Sequence, residues 1–384
     1  MLNYGEILTG TAGLGPYPME KMRRVIQPTS TITNSINRVA TKDSAFYRAE
    51  HGYFGEDMQK ASSGVKEPVF ATLREMTIAL RDAVEGEVSP FQPELTDDPA
   101  VLSRHIKRLG YFHRADIAGI CELPQWAVYS HDGKGNQIEL NHKFAVLFLV
   151  DMGFETMKAS IGFDWISRSQ NFHSYVHSAL VSCMVASYIR KLGYSARAHH
   201  VTNELIVIPP LLLLAGIGEV ARPGIVLNPY IGLRYKASVV TTDMPLVSDK
   251  PIDFGLQEFC RKCGKCADLC PSKAITHGDK IVYNGYETWK LDEERCLRFM
   301  KVLNSKGDSC LRCVKVCPWN KPRGWTHDTA RWVAGHTPWL DRFLIKMDDV
   351  MGYGKPDRRG KWWFDLVKTD DGFQTVERAQ QKGR

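Results

Sequence analysis

The chain has 384 residues, 43 % apolar and 24 % charged, the make-up of a folded protein of two or three domains rather than a disordered or fibrous one. Its formal charge is +7, from 50 basic and 43 acidic side chains, and with no Lys/Arg block this is no signature of nucleic-acid binding. The longest apolar run, residues 205–217, is broken by Pro209 and Pro210. It falls short of the roughly 20 residues that cross a bilayer, so no membrane span is expected.

Residues 1–95 are polar and turn-rich, with a helix expected over 67–85, and read as a segment that wraps a core without owning one. Arg23-Arg24 is followed by Gln27-Pro-Thr-Ser instead of an apolar export segment, which points to the cytoplasm or to an exported protein without its leader. Residues 96–250 mix helix and strand, the pattern of an α+β core. A helix over 99–109 is expected to stop at Gly110, and an apolar strand covers 143–152. A second helix over 174–192 ends at Gly193, with Val176, Ala179, Leu180, Cys183, Met184 and Ile189 on one face. Short strands follow at 224–228 and 234–242. Residues 326–384 carry Trp332, Trp339, Phe343, Tyr353, Trp362 and Trp363, an extension expected to pack back on the core.

Between these lies a cysteine-rich module, 251–325. Of ten cysteines, Cys121 and Cys183 stand alone and read as core thiols, while eight fall between Cys260 and Cys317. Cys260-x2-Cys263-x2-Cys266-x3-Cys270-Pro271 is the bacterial ferredoxin run. Three closely spaced cysteines reach three irons of one cubane, and the fourth, held past the start of a short helix, ligates the other cluster. The second run, Cys310-x2-Cys313-x3-Cys317-Pro318, lacks its first cysteine; Gly307 stands there, and Cys296 is the nearby replacement. One [4Fe-4S] cluster is therefore assigned to Cys260, Cys263, Cys266 and Cys317, and the other to Cys270, Cys296, Cys310 and Cys313. Two such clusters add about −4 and bring the net charge to about +3.

Clusters carry electrons but do no substrate chemistry, so an acceptor site is sought upstream. Ala215-Gly-Ile-Gly-Glu-Val-Ala-Arg222 matches the dinucleotide fingerprint only in part. The chain also lacks the Asp-x-His-x-x-Gly run that places a histidine on cobalt in some corrinoid proteins.

The stretch from 215 to 275 resembles the reductive dehalogenases. The match runs through Gly-Glu-Val-Ala-Arg222, Asn228-Pro-Tyr-Ile-Gly-Leu-Arg-Tyr-Lys236, Thr242-Asp-Met-Pro-Leu246 and Asp249-Lys-Pro-Ile-Asp-Phe-Gly255. It continues into Glu258-Phe-Cys260 and Cys270-Pro-Ser-Lys-Ala-Ile275, with weaker similarity at Gly15-Pro-Tyr-Pro-Met-Glu-Lys21 and residues 38–49. The resemblance implies a nitroreductase-like core that binds a corrinoid (cobalamin) with no protein ligand on cobalt. Two clusters would feed it until Co(I) removes halogen from an organohalide. No fused flavin reductase module is recognisable, so a separate low-potential donor is expected: a ferredoxin, a flavodoxin or a membrane donor. The rival readings are an epoxyqueuosine reductase-like corrinoid enzyme, which would want an RNA-binding surface and a catalytic acid, and an electron-transfer ferredoxin.

The family also implies a tyrosine proton donor beside a cation. Tyr175 is the candidate donor, placed at a helix start where the dipole would favour phenolate. Lys236 is the first choice of cation, with Arg234 in reserve, since the two alternate along one strand. Gly216, Gly218 and Gly232 are expected to let backbone approach the corrinoid or to serve turns. His199 and His200 read as surface histidines, with contact to the corrinoid tail as the alternative, and Phe163 and Trp165 as core packing or pocket lining.

Overall fold

The computed structural model describes residues 14–15, 17–33, 36–63, 67–91, 93, 98–160, 167–304, 309–355, 365–369 and 372–375. Phe163, Trp165, Gly307, Trp362 and Trp363 lie outside the described residues. The class is α+β. At the centre, β1 (Ile117–Glu122), β2 (Phe144–Asp151), β3 (Ala196–His199) and β4 (Tyr235–Thr242) form an antiparallel sheet in the order β1-β2-β4-β3.

Strand β2 reads Phe-Ala-Val-Leu-Phe-Leu-Val-Asp, apolar on both faces because both are covered. Alternate side chains go to opposite sides. Ala145, Leu147 and Leu149 join a large core with Ile206, Leu211 and Leu213, whereas Val146 and Phe148 join a second core with helix residues. The helices are α1 (Pro68–Ala79), α2 (Pro99–Phe112) and α3 (Ser167–Lys191). Cys121 and Cys183 are buried, one in each core.

Two expected helix features are corrected. Helix α2 runs through Gly110 to Phe112. That glycine serves packing: a Cβ there would stand 2.2 Å from Cε1 of Phe148. Helix α3 begins at Ser167, which puts Tyr175 in its third turn and outside the reach of the N-terminal dipole. Its buried face is also different, because Leu180 and Met184 point outward and Ser174, Ser178 and Ser182 point inward. Small polar residues let the helix sit close on the sheet. Ser174 Oγ donates to the Asp151 carbonyl (3.1 Å), Ser182 Oγ to the Ala179 carbonyl (3.0 Å), and Ser238 Oγ on β4 to the Ser178 carbonyl (2.6 Å).

The N-terminal residues are stapled to this core by arginines. Arg24 donates to the carbonyls of Lys250 (2.6 Å), Gly216 (3.3 Å) and Met19 (2.9 Å). Arg38 donates to those of Val128 (3.0 Å), Tyr129 (2.6 Å) and Ile138 (2.8 Å). Beyond the sheet come α4 (Leu256–Cys263), α5 (Trp325–His336) and α6 (Asp341–Val350), with α5 and α6 packed on α4. Of the aromatics expected to face inward, Trp332, Trp339 and Phe343 are exposed, while Tyr353 is half-buried with its hydroxyl 2.9 Å from His327 Nε2. The inner side of α6 is Asp341, Leu344, Ile345 and Asp348 instead.

Candidate active site

The cysteines fall into two spatial groups. Cys260, Cys263, Cys266 and Cys317 act on one another electrostatically, and so do Cys270, Cys296, Cys310 and Cys313. The groups adjoin at Cys266 and Cys313. Cys317 thus joins the first run despite closing the second, and Cys296 stands with the second group. Among the described residues, no three Cys, His, Asp or Glu side chains converge where a single ion could be held. Thiols spread in fours suit a polynuclear cluster, in which each takes its own iron. The Trp319 Nε1 atom is buried with no acceptor, and the ring lines the same cavity as Cys260, Cys263, Cys266 and Cys317. An indole N–H can only donate, and cluster or cysteine sulfur would supply the acceptor.

Two residues of the Gly-Glu-Val-Ala-Arg stretch fasten this module to the core. Glu219 accepts from Thr29 Oγ1 (2.5 Å) and from the Phe254 N–H (2.9 Å), which holds the chain entering α4. Arg222 donates to the carbonyls of Cys260 (3.1 Å), Thr276 (3.1 Å) and Gly278 (3.2 Å), with its guanidinium over the Trp289 ring. Lysines interleaved with the cysteines meet buried carboxylates of α6. Lys262 Nζ is 3.2 Å from Asp341, and Lys265 and Lys321 are each 2.5 Å from Asp348. Buried charges are tolerable when paired in this way.

Four polar side chains from separate elements converge inside the core. Lys236 of β4 places Nζ 4.7 Å from the centre of the Tyr175 ring of α3. Glu204, on the turn after β3, acts electrostatically on Tyr175 and on Tyr129. All four are surrounded by protein yet remain partly accessible. Burial holds the Tyr175 phenol well above the usual range, assisted by Glu204. Burial also pulls the Lys236 ammonium down to about 8 and pushes the Glu204 carboxyl up to about 7. Neither the cation nor a helix end lowers the phenol; desolvation outweighs both. Cys313, of the second cysteine group, acts electrostatically on Lys236 and favours its charged form.

Glu204 and Tyr129 were not legible as site residues, because a single acid in a loop carries no periodicity or spacing. Asn171, one turn before Tyr175 on α3, donates to Ser309 Oγ at 2.9 Å, while its buried Oδ1 has no partner. That leaves a free acceptor one turn from Tyr175, on a side chain bonded to the neighbour of Cys310.

Arg234 is placed otherwise. Its guanidinium grips the Asp151 carboxylate (2.6 and 3.2 Å) and donates to Asn320 Oδ1 (2.8 Å), both arginine and aspartate being buried. The structure brings Lys236, not Arg234, to Tyr175. The three glycines serve the protein's own packing. A Cβ on Gly216 (φ +61°) would meet the Lys250 carbonyl at 2.0 Å, and one on Gly232 (φ +62°) the Trp319 carbonyl at 2.9 Å. At Gly218 the Leu227 carbonyl would be 2.2 Å away. His199 and His200 are buried, contrary to the surface expectation. His199 meets Thr241 Oγ1 at 2.9 Å and Arg197 at 3.0 Å, because the strand carries both into the sheet's edge.

Residues 259–321 match the family of 4Fe-4S dicluster domains. The chain is 36 % identical over 225 residues to the tetrachloroethene reductive dehalogenase of Desulfitobacterium hafniense (strain Y51), covering 56 % of this chain and 39 % of that protein. The solved catabolic reductive dehalogenase NpRdhA superposes with a TM-score of 0.89 at 38 % identity, over 94 % of this chain and 53 % of that one. A reductive dehalogenase structure from which a mechanism of B12-dependent dehalogenation was suggested matches with the same TM-score and identity, over 94 % and 52 %. The chain therefore spans about two fifths of that curated relative and about half of the solved ones. The chain is thus similar to reductive dehalogenases in sequence over 225 residues and shares their fold over 94 % of its length, with a match to the 4Fe-4S dicluster domains inside it.

Proposed function

We propose that this chain is a reductive dehalogenase that replaces a carbon–halogen bond of an organohalide by carbon–hydrogen. The conversion takes up two electrons and one proton and releases halide. The observation that carries the reading is Lys236 standing over the Tyr175 ring, on a helix whose Asn171 bonds Ser309 next to Cys310, in a chain that shares the fold of a B12-dependent relative. Cys260, Cys263, Cys266 and Cys317 hold one [4Fe-4S] cluster, and Cys270, Cys296, Cys310 and Cys313 the other. The corrinoid, when bound, supplies the Co(I) that delivers electrons to the carbon–halogen bond. Asn171, with its unpaired Oδ1, is suited to hold an amide arm of that group.

The chain's own part is acid catalysis and charge control. Tyr175 stays protonated at neutral pH and gives its phenolic proton to the substrate carbon, a role typically worth 10²–10⁴-fold. The phenolate left behind is costly in this buried site, and the Lys236 ammonium offsets the cost. Glu204 controls how much negative charge the site tolerates. Arg234 does not touch this chemistry; with Asp151 it holds the end of β2 against the start of β4.

The test is anaerobic reconstitution with corrinoid and a chemical reductant, followed by a panel of chlorinated and brominated substrates with halide release as readout. Glu204 also supplies the acid that an epoxyqueuosine reductase-like enzyme would want, so the panel includes an epoxyqueuosine-bearing tRNA stem loop. Halide release with the stem loop untouched is expected. Reduction of the stem loop alone would overturn the reading.

A further inference from the structure

The described helices α5 and α6 each expose one apolar stripe. Trp325 and Trp332 are seven residues apart on α5; Phe343, Met347 and Val350 recur at four and three on α6, with Trp339 at the joint. Trp325, Trp339 and Val350 are 83 %, 76 % and 73 % exposed. A folded protein rarely leaves so much aromatic surface in water without a partner, and tryptophan is the side chain most enriched at the energetic centre of interfaces.

What lies beneath the stripes gives the partner's chemistry. Both helices pack on α4, the helix of Cys260 and Cys263. At the joint, Lys262 Nζ, between those cysteines, donates to the Pro338 carbonyl at 2.7 Å. The other cysteine group adjoins α3, the helix of Tyr175, where Asn171 donates to Ser309 Oγ beside Cys310, so the Cys260 group is the one next to the exposed face.

Charge narrows the choice further. Arg342, Lys346 and Lys355 are exposed on or beside α6. The exposed carboxylate there, Asp349, is paired with Lys265 at 2.5 Å, and Arg323 and Arg331 share Asp328. The face is thus aromatic at its centre and positive at its rim, which steers a negatively charged protein toward it.

We propose that the outward face of α5 and α6 is the docking site of an acidic one-electron carrier protein, which reduces the cluster of Cys260, Cys263, Cys266 and Cys317. Each encounter oxidises one carrier and reduces one cluster by one electron, and two carriers are consumed per halide released. The proposal rests on the dehalogenase reading only for the electrons' final use.

The experiment uses the protein with both clusters in place and a flavodoxin hydroquinone as the probe, with cluster bleaching followed by stopped flow. In the parent, the second-order rate should fall steeply with added salt. The double variant Arg342→Glu/Lys346→Glu should lose at least tenfold at low salt and most of the salt dependence. Trp332→Ser/Phe343→Ser should weaken carrier binding about tenfold and keep the salt slope. Reduction by dithionite, which needs no docking, should be unchanged in both, with parental iron content and thermal midpoint. Parental rates with flavodoxin in both variants would overturn the proposal. So would a self-associating parent whose dimer is broken by Trp332→Ser/Phe343→Ser, since the face would then belong to a second copy. If the variants behave as expected but no organohalide is turned over with dithionite, the docking face stands and the dehalogenase reading fails.

Discussion

Lys236 Nζ lies 4.7 Å from the centre of the Tyr175 ring, on its face. A cation so placed is attracted to the ring by roughly 0.5–2 kcal/mol, more as water is excluded. The same charge is also positioned to stabilise a phenolate that burial alone would forbid.

Tyr175→Phe keeps the ring and the cation contact while removing the proton. Turnover should fall by about 10²–10⁴-fold with corrinoid and iron content unchanged. Lys236→Ala should also slow turnover, and the double variant should be little worse than the slower single one, because the two act as a unit. Full turnover by the fully loaded Phe variant would move the donor elsewhere.

The pH profile should report Lys236. Its ammonium is held down to about 8 by burial, so the cation beside Tyr175 is present at neutral pH and is lost as pH rises through about 8. Turnover should fall there. The groups acting on or stacked against Lys236 are Tyr175, whose phenol is raised beyond this range, and Cys313, a proposed ligand of the second cluster. Lys236→Arg should move the break out of reach, since a guanidinium does not deprotonate below about 12. A break near 8 that survives in the arginine variant would assign it to another group.

Glu204 should set the charge preference of the site. Its carboxyl, pushed up to about 7, faces the neutral phenols of Tyr175 and Tyr129 and becomes an anion above that pH. For a halogenated benzoate, KM should rise roughly tenfold between pH 6 and pH 8, as a like charge is added near the substrate. Glu204→Gln should flatten that rise and leave uncharged organohalides unaffected. A KM with the same pH dependence in the glutamine variant would remove Glu204 from this role.

Cluster ligation can be tested by exchange. The parent should carry about eight irons. Cys317→Ser should damage the cluster of the first run although it lies in the second, and Cys296→Ser should damage the other. EPR of the reduced protein distinguishes the two losses. Two intact four-iron signals in Cys296→Ser would refute the assignment.

Two changes away from the chemistry should cost stability alone. Asp151→Ala strands the buried Arg234 guanidinium and should cost about 3–5 kcal/mol. Gly110→Ala drives a methyl into Phe148 and should cost about 1–3 kcal/mol. Thermal unfolding of the loaded protein measures both.

The grouping of the cysteines, the α+β class and the main strands β2 and β4 were legible in the sequence. Three thiols spaced for one cubane sit on one tight loop, and an apolar run like that of β2 has few other uses. The family resemblance also directed attention to Tyr175 and Lys236. Tertiary structure decided the rest. It chose Lys236 over Arg234, since only packing shows that Asp151 occupies the arginine. It added Glu204, whose significance lies in burial beside two phenols and not in any neighbour along the chain. It placed Ser174, Ser178 and Ser182 inward, where helix and sheet approach too closely for leucine, and turned Leu180 and Met184 out. It also left the tryptophans of α5 and Trp339 at its joint with α6 exposed, although hydrophobicity alone would bury them. Burial and pairing are properties of the assembled core, and a linear pattern reports them only where the spacing of residues and the spacing of contacts coincide.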